Sequence, residues 1–127
     1  MELKEYFEEK RGTGILATAD GEGRVNAALY SRPHVMEDGS AAFIMADRLS
    51  HTNLESNPHA VYLFIEQGGK SAGKRLYLKK EREDKNSPLI EELRRKPRYR
   101  DDEGKDRFLV FFTVEKILPL IGDGSEE

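Results

Sequence analysis

The chain of 127 residues contains no cysteine. Disulfide bonds, thiolate nucleophiles, iron–sulfur clusters and cysteine-ligated zinc sites are therefore excluded. No apolar run approaches the ~20 residues that a membrane-spanning helix needs. Residues 1–5 have neither the basic start nor the apolar core of a signal peptide. We expect a cytoplasmic protein with no membrane partner.

Neither sign of charge dominates the sequence. Lys and Arg number 21 and Asp and Glu 24, which gives a formal net charge of -3. Nucleic-acid-binding domains usually present a basic face, so no nucleic-acid partner is predicted. The length suits one domain with one core. We assign residues 1–121 to a single domain and expect residues 122–127 to form a disordered tail.

Three short helices are predicted. Residues 2–11 carry an apolar stripe at three- and four-residue spacing. A second helix is expected to begin with Ser50 as its N-cap and to end before Pro58. A third begins at Ser87-Pro88 and ends at Pro97.

Period-two alternation and turn signals predict six strands. They cover residues 13–19, 24–35, 41–46, 60–66, 74–83 and 107–118. Because closure removes exposed sheet edges, we predict a mainly β fold, a small closed antiparallel barrel with flanking helices.

The second of these strands has two different faces. Its odd positions are apolar and suit a core, whereas its even positions are polar or small; the odd set is Val25, Ala27, Leu29 and Val35. Pro33 would be awkward in a central strand, so this end is predicted to be an edge or a bulge.

A donor-rich helix start follows the third strand, at residues 47–53. The first N–H groups of a helix have no intrahelical partner, and the helix dipole adds partial positive charge there. Such a start is a sensible seat for a phosphate. Side-chain donors and cations are supplied by Ser50, Thr52, Asn53, Arg48 and His51. An ordinary helix cap explains the same residue types, and both interpretations stay open.

No catalytic group stands out in the sequence. The three histidines, His34, His51 and His59, lack metal-ligand spacing, so no metal site is predicted. No serine–histidine–acid arrangement and no phosphate-loop motif are present, so the catalytic residues stay unknown.

The succession of a short helix and then GILATADGEGRVNAALYSRPHVMEDGSAAFIMADRLSHTNLESNPHAVYLFIE resembles the flavin-binding split-barrel family. This family is typified by pyridoxamine 5′-phosphate oxidase and the small bacterial FMN-binding proteins. The resemblance covers residues 1–83, and residues 107–118 fit the closing strand of the barrel. The most family-like segment is LSHTNLESNP, residues 49–58.

The resemblance implies a six-stranded antiparallel split β-barrel that forms a homodimer, with FMN in a groove between the subunits. For the phosphate it points to Asp47, Arg48, Ser50, His51, Thr52 and Asn53. For the flat ring it points to the second strand, at Asn26, Ala27, Ala28, Leu29 and Tyr30. Arg32 would reach the ring or the phosphate, although exposure to solvent also explains this residue. The small side chain of Ala28 leaves room for a flat ring or a partner backbone.

The activity that the resemblance implies is that of an FMN-dependent oxidoreductase or flavin electron carrier acting on a small redox substrate. Two departures argue against vitamin B6 oxidation. The Ser-Arg-Lys run of the oxidase is Ser50-His51-Thr52 here, and the C-terminal segment is acidic rather than basic. The alternative is a non-catalytic binding module on the same barrel, for haem or a deazaflavin or as a sensor dimer; an empty groove is a third possibility.

Overall fold

The computed structural model describes residues 2–94 and 104–123. The three helices in this part of the chain are α1 (Leu3–Glu9), α2 (Leu49–Ser56) and α3 (Leu89–Leu93). The strands are β1 (Gly12–Ala19), β2 (Val25–Leu29), β3 (His34–Val35), β4 (Ala41–Ala46), β5 (His59–Glu66), β6 (Gly73–Lys85) and β7 (Arg107–Pro119). None of the described helices has the length and apolar character needed to cross a membrane.

All seven described strands belong to one antiparallel sheet in the order β2-β1-β5-β6-β7-β4-β3. The mainly β prediction is confirmed, but the predicted strand 24–35 is divided into β2 and β3 by residues 30–33. Pro33 lies in this break, where its missing N–H cannot contribute to a ladder. The two edge strands are therefore consecutive in the chain, and the described sheet is not closed by hydrogen bonds as the barrel prediction required.

The two faces of β2 are the reverse of the prediction. The side chains of Val25 and Leu29, assigned to a core, are 82% and 76% exposed. Asn26 and Ala28, on the other face, are half-buried. The prediction that β2 has two different faces holds. The face that is covered within one chain is the more polar one, because α2 packs on that side.

The ends of the helices lie close to their predicted positions, with two corrections. Ser50 is not the N-cap of α2: Arg48 is, in an extended conformation with no side-chain cap. The end before Pro58 is confirmed. At α3 the Ser87 Oγ accepts the N–H of Leu89 at 3.2 Å. Helix α3 ends at Leu93 and the next residue, Arg94, is extended, so the helix stops before the predicted end at Pro97. Tail residues 124–127 lie outside the described residues.

Aromatic side chains fill the inner side of the curved sheet. The rings of Phe43 and Tyr62 meet edge to face at 5.1 Å, and Phe7 of α1 meets Phe64 at 5.3 Å in the same manner. On the outer side, Ile90 of α3 packs with β4 and β7. Helix α3 thus covers one part of the outer surface of the sheet. The apolar side chains of β2, at the other end of that surface, stay exposed.

A tight approach holds the end of β2 in place. The Tyr30 N–H donates to the Gly14 carbonyl at 2.9 Å, and the Tyr62 hydroxyl donates to the Tyr30 carbonyl at 3.1 Å. A Cβ atom at position 14 would overlap both the Tyr62 hydroxyl and the Tyr30 carbonyl oxygen. This crossing therefore requires glycine for reasons of space.

We predict that Gly14→Ala lowers the free energy of unfolding by about 1–3 kcal/mol, because overpacking forces the neighbouring backbone to shift. Chemical denaturation measures the change. The matched control is Gly21→Ala, where the nearest atoms lie 3.5 Å from the added Cβ; its stability should stay within about 1 kcal/mol of wild type. Equal stability of both variants would contradict the tight approach.

Candidate functional site

Helix α2 contacts the sheet mainly through polar side chains. Its buried residues are Ser50, His51, Asn53 and Leu54, three of which are polar. The Asn53 Nδ2 donates to the Thr18 Oγ1 of β1 at 3.0 Å. Buried polar groups are costly unless they are hydrogen-bonded, so such contacts select one position of the helix.

The first turn of α2 meets the half-buried face of β2 at Ser50. The Ser50 Oγ accepts a hydrogen bond from the Asn26 Nδ2 at 3.3 Å. Its hydroxyl also lies beside that of Tyr30. Burial raises the pKa of Tyr30, although the neighbouring Ser50 hydroxyl and the positive charge of Arg48 act in the opposite direction. The helix start therefore meets one face of β2 through polar groups of Ser50 and Asn26.

His51 occupies a different position from its neighbour Ser50. Its ring is buried and lies flat on Phe108 of β7, with 3.9 Å between the centroids and 18° between the planes. The Nδ1 faces the Asp47 Oδ1 at 3.2 Å, and the Nε2 faces the Glu83 carboxylate at 2.9 and 3.1 Å. Both ring nitrogens are thus occupied within the chain.

Glu83 is the anionic centre of this contact. The Lys80 Nζ donates to its Oε1 at 2.7 Å. Burial acts to raise the pKa of Glu83, but the hydrogen bonds and positive charges of Lys80 and His51 outweigh it and lower the pKa below the ordinary value. The carboxylate is therefore the stable form next to α2.

Some of the residues predicted for a site come together and others do not. Around the first turn of α2 the structure gathers Asn26, Tyr30, Arg48 and Ser50. Thr52 lies in the same turn and is exposed. Ala28 lies on the same face of β2 as Asn26 and Tyr30, whereas Ala27 and Leu29 lie on the opposite, exposed face.

Four predicted site residues have their polar groups directed to other partners. Asp47, His51 and Asn53 bond within the chain as described. The Arg32 Nη1 donates to the carbonyls of Phe7 and Lys10 at 2.6 and 2.9 Å, at the C-terminal end of α1. A cation there interacts favourably with the helix dipole.

The partners Thr18, Glu83 and Phe108 were missed by sequence reasoning. Glu83 is 32 residues from His51 in the chain, and Thr18 is 35 residues from Asn53. The strands that carry them were predicted, but no local pattern states which strand residue faces α2. The scarcity of apolar residues in the helix segment LSHTNLES was the one available sequence signal that polar contacts hold it.

An outer apolar face is defined by Ile15, Ala17, Val25, Ala27, Leu29, Val61 and Leu63. The sheet register places Ile15 opposite Leu29 and Leu63, and Ala17 opposite Ala27 and Val61. Directly paired residues share a face of the sheet, so these side chains form one continuous surface. No described residue of the same chain packs over Val25 or Leu29 enough to bury them.

The similarity of this chain to known proteins lies in its fold rather than in its sequence. No protein-family model matches the sequence. No curated protein matches it either.

Solved structures do match. An FMN-binding protein from Syntrophomonas wolfei subsp. wolfei has 18% identity and a TM-score of 0.72, covering 95% of this chain and 85% of its own. A protein from Lactobacillus delbrueckii provisionally assigned as a pyridoxamine 5′-phosphate oxidase has 13% identity and a TM-score of 0.68, covering 93% and 92%. An F420 reductase has 17% identity and a TM-score of 0.64, covering 92% and 97%. The chain therefore has the fold of the flavin-binding split-barrel proteins, which confirms the resemblance at the level of the fold.

We predict that Glu83→Gln reduces the acid sensitivity of the protein. Because the folded-state pKa of Glu83 is lowered, its contribution to stability is present above the unfolded value, about 4.3, and is lost as the pH falls through the folded value. Unfolding free energies measured between about pH 6 and pH 3 should fall less steeply in the variant. Glu55→Gln, on an exposed position of α2, is the matched control. Identical slopes for wild type and Glu83→Gln would be the contrary result.

Proposed function

We propose that the chain is an FMN-binding protein that works as a homodimeric, flavin-dependent oxidoreductase on a small redox substrate. The observation that supports this most is the meeting of the first turn of α2 with β2 through Ser50, Asn26 and Tyr30. An FMN-binding protein has the same fold, which supports the proposal that this surface binds the cofactor.

The residues present fit the phosphate end of FMN. The first N–H groups of α2, the hydroxyls of Ser50 and Thr52 and the exposed Arg48 together provide neutral donors and one cation. His51 and Asn53 leave the proposed phosphate set because their polar groups are bonded to the chain itself. The flavin phosphate would therefore be held with fewer cations than a Ser-Arg-Lys run provides.

The residues along β2 fit the ring. Ala28 stands between Asn26 and Tyr30 on one face, so a planar group extending from Ser50 along this face meets a methyl group rather than a bulky side chain. When bound, the flavin supplies the electron or hydride transfer. The task of this chain is to orient the ring through β2 and to limit the access of water. No side-chain acid or base is assigned to the chemistry.

The outer apolar face supports the homodimer. Val25 and Leu29 are 82% and 76% exposed in a single chain. Large apolar side chains grouped on one sheet face are typical of a protein–protein contact. Association through this face would place β2, and with it the ring, beside the second subunit. The same association explains why apolar residues predicted for a core are exposed here.

A deazaflavin is the second candidate cofactor, because an F420 reductase shares the fold. Both cofactors combine a planar ring system with a phosphate-bearing tail, so the same surface serves either one. The absorbance spectrum of the loaded protein distinguishes them. A Soret band would indicate haem instead and would refute both flavin assignments.

We predict that the protein binds about one FMN per subunit and that Ser50→Ala combined with Thr52→Ala raises the FMN dissociation constant about tenfold or more, since two donors to an anion are lost. Riboflavin, which lacks the phosphate, is the matched control and should lose little affinity. Flavin absorbance and fluorescence titration measure both constants. An equal effect on the two ligands would contradict the phosphate assignment.

A bulky group at Ala28 tests the ring site. Ala28→Trp should abolish binding of FMN and riboflavin alike, because the indole occupies the ring position, while circular dichroism shows the fold retained. Unchanged flavin binding would place the ring elsewhere.

We predict that Leu29→Asp converts the dimer to a monomer, because a charge cannot be buried in an apolar contact without a partner. Size-exclusion chromatography with light scattering measures the mass. Ile121→Asp alters an apolar side chain that is also exposed, at 67%, but lies beyond β7; it should leave the mass unchanged. A wild-type monomer at all accessible concentrations would refute the homodimer.

A further inference from the structure

His51 connects the proposed phosphate seat to the body of the sheet. It lies in the first turn of α2, next to Ser50, and its side chain is 3% exposed. Its two nitrogens face carboxylates from two different parts of the chain: Asp47 immediately before α2 and Glu83 on β6. The ring therefore fixes the start of α2 relative to a strand that is distant in sequence.

The two partners of the ring nitrogens are both carboxylates. An ionised carboxylate only accepts hydrogen bonds, and a neutral imidazole carries a single N–H. A neutral ring would direct its bare nitrogen at one of the carboxylates, which is a repulsive contact; the ring is 3% exposed, the Glu83 side chain 26% and the Asp47 side chain 65%. An imidazolium donates from both nitrogens and satisfies both partners.

The surroundings favour the cation further. The ring lies flat on the face of Phe108, an arrangement that attracts positive charge. The charged groups on the elements around it include both signs, and those closest to the ring nitrogens are acidic. The full set of charged groups around the ring is Asp47 and Arg48 before α2, Lys80 and Glu83 on β6, and Lys105, Asp106 and Arg107 at the start of β7.

We propose that His51 is a positioning residue for the phosphate seat: as an imidazolium bonded to Asp47 and Glu83, it holds the first turn of α2 against β6 and β7. The N–H groups of that turn and the Ser50 hydroxyl then keep one orientation toward a bound phosphate. This role rests on the proposed function. His51 does not contact the phosphate itself, because both of its nitrogens are occupied.

The protonation state is tested first, on the protein without flavin. Nitrogen-15 NMR of the histidine rings at neutral pH should show a proton on both nitrogens of His51. His59 is the matched control, since it is 62% exposed and its single carboxylate contact, with Glu115, is at 4.0 Å. A His51 ring with one bare nitrogen overturns the proposal.

The positioning role is tested with His51→Gln and with Glu83→Gln, which leaves the ring in place but removes the charge of its partner. Each should raise the FMN dissociation constant about tenfold, equivalent to about 1.4 kcal/mol, and change that of riboflavin by less than about twofold. His59→Gln should change neither constant. Equal losses for the two ligands in folded variants, or no loss for FMN, overturn the positioning role.

The two proposals fail in different ways. A wild-type protein that binds neither FMN nor riboflavin refutes the proposed function and, with it, the role at a phosphate seat. The NMR spectrum is recorded without flavin, so it decides by itself whether the His51 ring carries a proton on both nitrogens. Two ring protons support that part of the proposal, and one overturns it.

Discussion

The candidate site depends on how a mostly polar helix face is held against a sheet. Ser50, His51 and Asn53 of α2 are buried, and each bonds to another part of the chain, on β2, β6 and β1 respectively. Apolar contacts tolerate sliding, whereas buried hydrogen bonds require particular partners at particular distances. The polar contacts therefore set the orientation of the first turn of α2, on which any phosphate seat there depends.

The surface at the outer side of β2 differs in chemistry from the side that faces α2. It is apolar, continuous across β1, β2 and β5, and uncovered at Val25 and Leu29. Helix α3 covers only the part of the outer side formed by β4 and β7. The same strand thus has one face directed to α2 and an apolar face that the described chain leaves exposed. In the homodimer proposed above, a groove between subunits beside β2 would combine both surfaces.

Sequence reasoning succeeded where the signals are local. Strand alternation, the stop before Pro58 and the edge position near Pro33 were all interpreted from neighbouring residues. It failed where a residue's role depends on distant partners. His51 was predicted to face a phosphate, yet Glu83 lies opposite its Nε2. Arg32, another predicted contact, is directed to the C-terminal end of α1.

The sequence by itself determined the mainly β character, the position of the helix start after β4 and the two-faced character of β2, because these follow from periodicity and backbone preferences within a few residues. Only the tertiary structure decided which face of β2 is covered in one chain and which side chains of α2 are already bonded. Alternation shows that a strand has an apolar face but contains no information about what covers it. That depends on strand register and helix docking, which join residues far apart in the chain.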